Sequence, residues 1–191
     1  MASFGAKNPY FCKVKEEPEG ALPTYEGDPV KIGRLVKADL TIQMASGKLF
    51  ADDGLAESVE EFASGSIAME TDDMLDDVAS VVYGTKVEEK LVRYNTADDP
   101  PSGGLAYYKK LMRRRKVFYK CIFFPLVKAS LGNDTAQTKT DSITFGTTAT
   151  TFTVFACDNG DWRLTEVFTT EEEALAWVKS RFAPADAGAA G

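Results

Sequence analysis

Alternating apolar and polar residues mark the clearest strand of the chain, the stretch IGRLVKADLTIQM at residues 32–44. Its even positions are apolar apart from Arg34, and its odd positions include Lys37 and Asp39. A period of two residues places the apolar side chains on one face of a strand. Thirteen residues at the usual strand rise span about 43 Å, which is long for a globular strand. We therefore expect one end of this strand to project beyond the body of the protein.

A pair of strands is predicted around the tip RRRK, at residues 105–112 (LAYYKKLM) and 116–127 (KVFYKCIFFPLV). The second of these carries apolar side chains at both odd and even positions, which predicts burial on both faces. Pro125 lacks a backbone donor, so it is expected to place the end of this strand at an edge or a bulge.

Weaker strand patterns complete a β-rich chain. They lie at residues 64–71, 86–95, 143–156 and 162–168. The third of these segments, ITFGTTATTFTVFA, is rich in threonine and β-branched residues, which favours one or two strands.

Helical spacing is found in two segments. DDMLDDVASVVY at residues 72–83 has an Asp-rich first turn that suits the helix dipole, and Gly84 supplies a C-terminal stop. Its acids lack the alternating Asp/Asn and central glycine of a calcium loop, which favours capping over metal binding. In the second segment, TTEEEALAWVKSRF, Thr170 and Glu173 form a capping box.

The remaining segments predict loops and arms. Residues 15–29 contain three of the eight prolines and read as an extended arm or loop. The fold class predicted is mainly β (α+β), a β-sandwich or barrel flanked by one or two short α-helices. We expect a single domain over residues 1–183, with an N-terminal arm over about 1–30 and a long loop over about 45–62. Residues 184–191 are expected to form a flexible C-terminal tail.

Charge is segregated along the chain, whose net charge is −7. Residues 49–85 contain ten carboxylates and no Lys or Arg, whereas residues 100–133 contain eight Lys or Arg and no carboxylate. Blocks of a single sign usually mark solvated faces or interaction surfaces.

Catalytic chemistry finds little support in the sequence. The absence of histidine excludes Ser-His and Cys-His catalysis and histidine metal sites. Cys12, Cys121 and Cys157 show no CxxC spacing and are interpreted as buried thiols. No phosphate loop, dinucleotide fingerprint or nucleophile elbow is present. No catalytic, cofactor-binding or metal-binding residue is predicted and no cofactor is expected, although a paired-acid hydrolase stays open as a weak alternative.

The basic segment KKLMRRRK at residues 109–116 allows two functional interpretations. Aromatic residues flank the cations, as in proteins that stack single-stranded nucleic acid, but the acidic net charge opposes DNA or RNA binding. Alternatively, a chain with one acidic and one basic block on different elements can associate head to tail, in rings or filaments. The charge layout and the lack of catalytic motifs favour a structural assembly protein.

Three long segments resemble the major tail proteins, or tail-tube proteins, of long-tailed, non-contractile bacteriophages. They are GAKNPYFCKVKEEPEGALPTY, KADLTIQMASGKLFADDGLAESVEEFASGSIAMETDD and GNDTAQTKTDSITFGTTATTFTVFA. The similarity covers roughly residues 4–182, and the RRRK tip and the C-terminal tail diverge. The resemblance implies a structural virion protein that self-assembles into stacked hexameric rings, the tail tube through which DNA is ejected.

Partners and location follow from the same resemblance. The implied partners are further copies of the chain, a tape-measure protein, and the tail terminator and tail-tip proteins. DNA would pass through the lumen without specific binding, and no membrane binding is expected. The chain would occupy the virion tail, and the host cytoplasm during assembly. A tail terminator, another tail or baseplate component, a secretion-tube homologue and a surface-binding β-module of the virion are the alternatives.

Contacts between subunits are predicted where the two charge blocks lie. The segment 45–62 matches by position the loop that reaches the next ring in the family. The basic segment KKLMRRRK at residues 109–116 is expected to contact the acidic block between Asp52 and Asp77 of another subunit. The predicted inter-subunit contacts are Lys48, Phe50, Asp52, Asp53, Glu57, Arg113, Arg114, Arg115 and Lys116.

Overall fold

The computed structural model describes residues 2–51, 54–89, 91–134 and 146–183. These ranges form a mainly β structure with two short helices, α1 (Asp76–Tyr83) and α2 (Glu171–Ser180). The strands are β1 (Ala2–Glu16), β2 (Thr24–Lys31), β3 (Leu35–Ala51), β4 (Gly54–Thr71), β5 (Lys86–Glu88), β6 (Leu91–Arg93), β7 (Ser102–Arg113), β8 (Lys116–Asp134), β9 (Thr148–Val154) and β10 (Leu164–Phe168).

One large antiparallel sheet contains eight of these strands. Its order is β2-β1-β7-β8-β9-β4-β3, and β10 pairs with the first half of β8. Strands β5 and β6 form a separate small hairpin. The central strand β8 is therefore flanked by β7 on one side and by β10 and then β9 on the other.

Each face of the sheet carries a hydrophobic cluster under one helix. Val78, Val82 and Tyr83 of α1 pack with one cluster, which contains Phe11, Phe124 and Phe152. Ala174 and Val178 of α2, with Phe182 just beyond it, pack with the other, which contains Tyr25, Tyr108 and Phe123. The two clusters use alternate residues of the same strands, because successive side chains of a strand point to opposite faces.

The prediction that the strand at 116–127 is buried on both faces is confirmed over Cys121–Val127, which are all buried, whereas Lys116 and Val117 beside the turn are exposed. Pro125 lies at a bulge, where the pairing of β7 with β8 shifts between Gly103 and Leu105. The strand nevertheless continues to Asp134, so the expectation that it ends near Pro125 is wrong. The expected buried thiols are also confirmed, as all three cysteines are free and buried.

Two segments expected to be loops or arms are strands instead. The expected loop at residues 45–62 continues β3 and β4 as an antiparallel hairpin, with cross-strand pairs such as Gly47–Val59 and Lys48–Ser58. The expected N-terminal arm contains β1 and β2, and β1 pairs with both β2 and β7 inside the sheet. Backbone pairing with a neighbouring strand thus outweighs the preference for a loop that glycine, proline and acidic residues indicate. The expected C-terminal tail at 184–191 lies outside the described residues.

Helix starts follow the predicted pattern in α2 but not in α1. The Thr170 hydroxyl accepts from the backbone N–H of Glu173, as the predicted capping box requires. Helix α1 begins after Leu75, which makes no side-chain cap. The neighbouring acids bind nearby backbone donors instead, for example Asp77 at the N–H of Val78. Gly84 ends α1 in the left-handed conformation, as expected.

Candidate assembly interface

The four cations at residues 113–116 occupy the tip of the β7–β8 hairpin, here called the basic tip. Arg113 pairs with Lys116 across the strands, and Arg114 and Arg115 form a two-residue turn with φ of 49° and 63°. Positive φ at both turn positions is typical of a type I′ turn, which usually contains Asn and Gly. All four side chains are exposed, and no salt bridge joins them to a carboxylate of the described residues.

A rigid base supports the basic tip. The strands that lead to it are held between β1 on one side and β10 on the other, with Leu111 paired to Phe118 just below the tip. Tyr107 and Tyr108 are buried, and Tyr119 is half-buried against Tyr108. These aromatic side chains belong to the core, so they do not offer the exposed rings that stack nucleic-acid bases.

A second hairpin projects from the sheet. The last pair that joins β4 to β9 is Gly65–Val154, and beyond this point β4 pairs only with β3. We call the hairpin formed by residues 43–51 and 54–64 the arm. Residues 43–48 and 58–61 are exposed, and Glu60 and Glu61 place negative charge on the second strand of the arm. The expectation that one end of the long strand projects is therefore confirmed.

The base of the arm is fixed by aromatic stacking. Phe62 stacks on Trp162, with ring centroids 4.5 Å apart and planes 7° apart. The guanidinium of Arg163 lies 4.8 Å from the centroid of the Trp162 ring. A stacked pair of this kind contributes roughly 0.5–1.5 kcal/mol beyond its buried area. The arm thus leaves the sheet from a defined anchor.

The basic tip and the arm project from the same end of the sheet. Strand β9 runs antiparallel to β8, and β4 runs antiparallel to β9, so β4 and β8 run in the same direction. The beginning of β4 at Gly54 and the beginning of β8 at Lys116 therefore lie at one end. We call it the hairpin end.

The acidic block of the sequence is divided between the two ends of the sheet. Glu57 in β4, with Glu60 and Glu61, belongs to the hairpin end, whereas residues 72–77 follow the opposite end of β4. At that opposite end the Asp72 carboxylate accepts from the backbone N–H of Arg34 at 2.7 Å and of Asp73 at 2.9 Å. The first of these hydrogen bonds is the main reason that the pKa of Asp72 is lowered.

The predicted contact residues that the structure describes fall on these two hairpins. Lys48 is exposed on the arm, and Phe50 and Glu57 lie in its strands β3 and β4. Asp52 and Asp53 lie outside the described residues. Among the described residues of one chain, no hydrogen bond or ion pair joins the arm to the basic tip, so a contact between them stays a prediction about two chains.

A polar cluster under the start of α2 was missed by the sequence analysis. The Tyr108 hydroxyl donates to the Glu171 carboxylate at 2.7 Å and accepts from the Asn8 side-chain amide at 2.8 Å. Lys7 lies 3.2 Å from the same carboxylate. The hydrogen bond from Tyr108 is the largest cause that lowers the pKa of Glu171, followed by that from Lys7. The only local signal was the acidic first turn of α2.

Chemical groups suited to catalysis are few in the part of the chain that the structure describes. No group of three or more Cys, Asp or Glu side chains there could hold a metal ion. Burial raises the pKa of Cys121 to about 12 and that of Cys157 to about 11, which disfavours the reactive thiolate. Surface pockets of about 320 and 400 Å³ adjoin the two ends of α2, beside Lys7 and Lys179 respectively.

No protein-family model and no curated protein sequence matches this chain. Along the described ranges, neither helix has the length and apolar character needed to cross a membrane. The geometry of the two hairpins is therefore the main structural guide to function.

Proposed function

We propose that this protein is a structural subunit of a bacteriophage tail tube, which self-assembles into stacked hexameric rings around a tape-measure protein. The observation that carries the proposal is the pair of projecting hairpins of opposite charge at one end of the sheet. The resemblance of three long sequence segments to major tail proteins supports the same function. Tail terminator and tail-tip proteins would be further partners, and DNA would pass through the lumen without specific binding.

The connection between the two edge strands of the sheet supports this proposal. Strands β2 and β3 lie at the two ends of the sheet order, and residues 32–34 connect them directly. The backbone N–H of Ile32 donates to the Pro9 carbonyl in β1, and the backbone N–H of Asp72 donates to the Arg34 carbonyl. Gly33 has a φ of 150°, and a β-carbon there would overlap the backbone oxygen of Asp73. In the proposal this segment holds the sheet in the sandwich or barrel form of a tail-tube subunit.

Opposite charges on the two hairpins would set the register between neighbouring subunits. Exposed ion pairs contribute little individually, about 0–1 kcal/mol each. In a ring the same contact repeats at every subunit, and complementary charge speeds encounter and fixes orientation more than it adds affinity. Assembly should therefore slow as salt rises, because exposed charges are screened over about 8–10 Å at moderate ionic strength.

Microscopy and light scattering of the full chain test the proposal. The chain is concentrated stepwise, alone and with a tape-measure protein, and examined by negative-stain electron microscopy. Rings or tubes with six-fold symmetry are expected. Monomers at every concentration, with the tape-measure protein present, would overturn the proposal.

Charge reversal tests the contact within the assembly. Changing Arg113, Arg114 and Arg115 together to Glu should block tube growth and leave the circular dichroism spectrum unchanged. Changing Asp52, Asp53 and Glu57 to Lys in the same chain should restore part of the growth. If the basic tip instead bound nucleic acid, the first variant would lose retention on DNA and still form normal tubes.

A further inference from the structure

Three large apolar side chains are exposed together beside the basic tip. Phe4, Met112 and Val117 have exposed fractions of 46%, 45% and 38%. Met112 pairs with Val117 across β7 and β8, and Phe4 pairs with Lys110, two residues before Met112. Because paired residues and residues two apart share a face, all three lie on one face. We call this set the apolar patch.

The apolar patch lies on the face that α2 covers farther along the same strands. Tyr108 of β7 contacts Glu171 at the start of α2, and Lys110 lies 3.9 Å from that carboxylate. Beyond Lys110 no described helix covers the strands. Exposed apolar residues are ordinary when scattered singly, but a contiguous set mostly marks an interaction surface.

The charge around the apolar patch indicates the kind of partner. Lys110 borders it on the same face, and Arg114 and Arg115 border it at the turn. A partner should therefore combine exposed apolar side chains with carboxylates. The arm has this composition: Val59 is 53% exposed, and Glu61, two residues along β4, lies on the same face.

The shape of the arm also suits docking. Val59 is paired with Gly47, and Glu61 is paired with Ala45, so the residues opposite Val59 and Glu61 are small. A β-carbon at Gly47 would meet no atom within 4 Å, so this face is open. An isolated two-stranded hairpin is only marginally stable in water, and packing against another surface stabilises it.

The arm of the same chain does not cover the apolar patch, since all three side chains remain exposed in the presence of the arm. In the sheet order, β4 and β7 are separated by β8 and β9. We propose that the arm of one copy docks on the apolar patch of a second copy, with Val59 packed between Met112 and Phe4 and Glu61 beside Lys110 and the turn arginines.

This docking rests on the proposed self-assembly and adds the N-terminal strand β1 to the contact. It also makes the contact heterologous, because arm and patch are different surfaces, so each subunit offers both and the association can propagate. The contact has an apolar centre and a charged rim, as protein interfaces commonly do.

Site-directed cross-linking tests the docking. One tagged chain carries Val59→Cys and a second, differently tagged chain carries Met112→Cys, so any link between the two positions joins different subunits. The chains are mixed, assembled and treated with a bismaleimide.

The native cysteines are buried, and burial raises the pKa of each, so they should react slowly. A band that carries both tags is expected. Val87→Cys, a 42% exposed position on β5, replaces Val59→Cys in the control and should give no such band.

A second measurement separates docking from charge. Met112→Ser with Val117→Thr should raise the protein concentration needed for assembly at least tenfold at high salt, where exposed ion pairs are screened. The matched control, Val87→Ser with Leu91→Ser, removes exposed apolar side chains from β5 and β6 and should leave assembly unchanged.

The outcomes distinguish this inference from the function on which it rests. Tubes that form without the two-tag band, or with an unchanged assembly concentration in the Met112 and Val117 variant, would overturn the docking and leave the tube function standing. Failure of the unmodified chain to assemble under any condition would overturn both.

Discussion

The two long hairpins of this protein share a design and differ in their surroundings. Both are antiparallel, and both project toward the same end of the sheet. The β7–β8 hairpin lies in the middle of the sheet, with residues such as Phe123 and Phe124 buried on opposite faces. The arm continues beyond its neighbours with exposed side chains such as Met44 and Val59. The β7–β8 hairpin therefore contributes to folding and offers only the region of its tip for contacts, whereas the arm is available for contacts along its length.

The largest expected effect on stability comes from the buried hairpin. Phe124 is fully buried in the cluster beneath α1, and Phe124→Ala would leave a cavity among large side chains. The free energy of unfolding should fall by about 3–5 kcal/mol, the usual range for such truncations. Urea denaturation followed by circular dichroism measures this loss. Val59→Ala in the arm should change the same quantity by less than about 0.5 kcal/mol. Equal losses at both sites would contradict the distinction between the hairpins.

The same difference explains which elements the sequence predicts. Apolar residues at every position from Cys121 to Val127, interrupted only by Pro125, indicate a strand buried on both faces. The arm lacks that signal, since the part of its second strand that precedes Phe62 carries Glu57, Glu60 and Glu61. Its strand structure comes from backbone pairing with β3. That pairing is supported nearer the sheet by pairs such as Leu40–Ile67, in which Ile67 is buried and Leu40 is half-buried, and its register shifts between Gln43 and Met44. Side-chain patterns cannot predict a strand that few buried side chains support.

Contacts between residues that are far apart in the chain cannot be predicted from the sequence for another reason. Tyr108 and Glu171 are 63 residues apart, and only the packing of α2 on the sheet brings them together. The sequence predicts the strand at residues 105–112 that contains Tyr108, and it predicts the capped start of α2, but it does not predict that the two meet. The apolar patch was missed similarly, because β1 becomes the neighbour of β7 only in the folded sheet.

An intermediate effect is expected for Tyr108→Phe, which acts where the buried hairpin holds α2. The change removes hydrogen bonds to Glu171 and Asn8 and should lower the free energy of unfolding by about 1–2 kcal/mol at neutral pH. The matched control is Tyr107→Phe, because the Tyr107 hydroxyl makes no hydrogen bond within the described residues and should cost little.

The pH dependence identifies the partner. In the folded protein the pKa of Glu171 is lowered, chiefly by the Tyr108 hydroxyl. Its contribution to stability is therefore complete above the unfolded glutamate pKa of about 4.3 and is lost as pH falls through the lower folded value. The cost of Tyr108→Phe should shrink as acid protonates Glu171. An equal cost at pH 7 and pH 3 would contradict this assignment.

A smaller effect of opposite sign is expected at the basic tip. Arg114 and Arg115 have positive φ, a conformation that is unfavourable for side chains other than glycine and asparagine. Replacing them by Asn and Gly should raise the free energy of unfolding by about 0.5–1 kcal/mol. The same change removes two cations from the proposed contact, so assembly should weaken while the subunit becomes more stable. Lys in both positions keeps the charge and should retain assembly without that gain in stability.

The smallest effect on folding is expected from shortening the arm. Replacing residues 45–61 by Asn-Gly removes the docking residues Val59 and Glu61, joins the paired residues Met44 and Phe62 through a two-residue turn and keeps the register below it. No described residue of β7–β9 loses a strand partner, and the Phe62–Trp162 stack remains, so the free energy of unfolding should change by less than about 0.5 kcal/mol. Assembly of the shortened chain alone should be lost, as measured by light scattering.

Because this chain keeps the apolar patch and the basic tip, it can accept an arm but cannot offer one. Mixed with the unmodified chain, it should end growing tubes and shorten them in proportion to its share. Tubes of normal length, from the shortened chain alone or from the mixture, would show that the arm is not the element that links subunits.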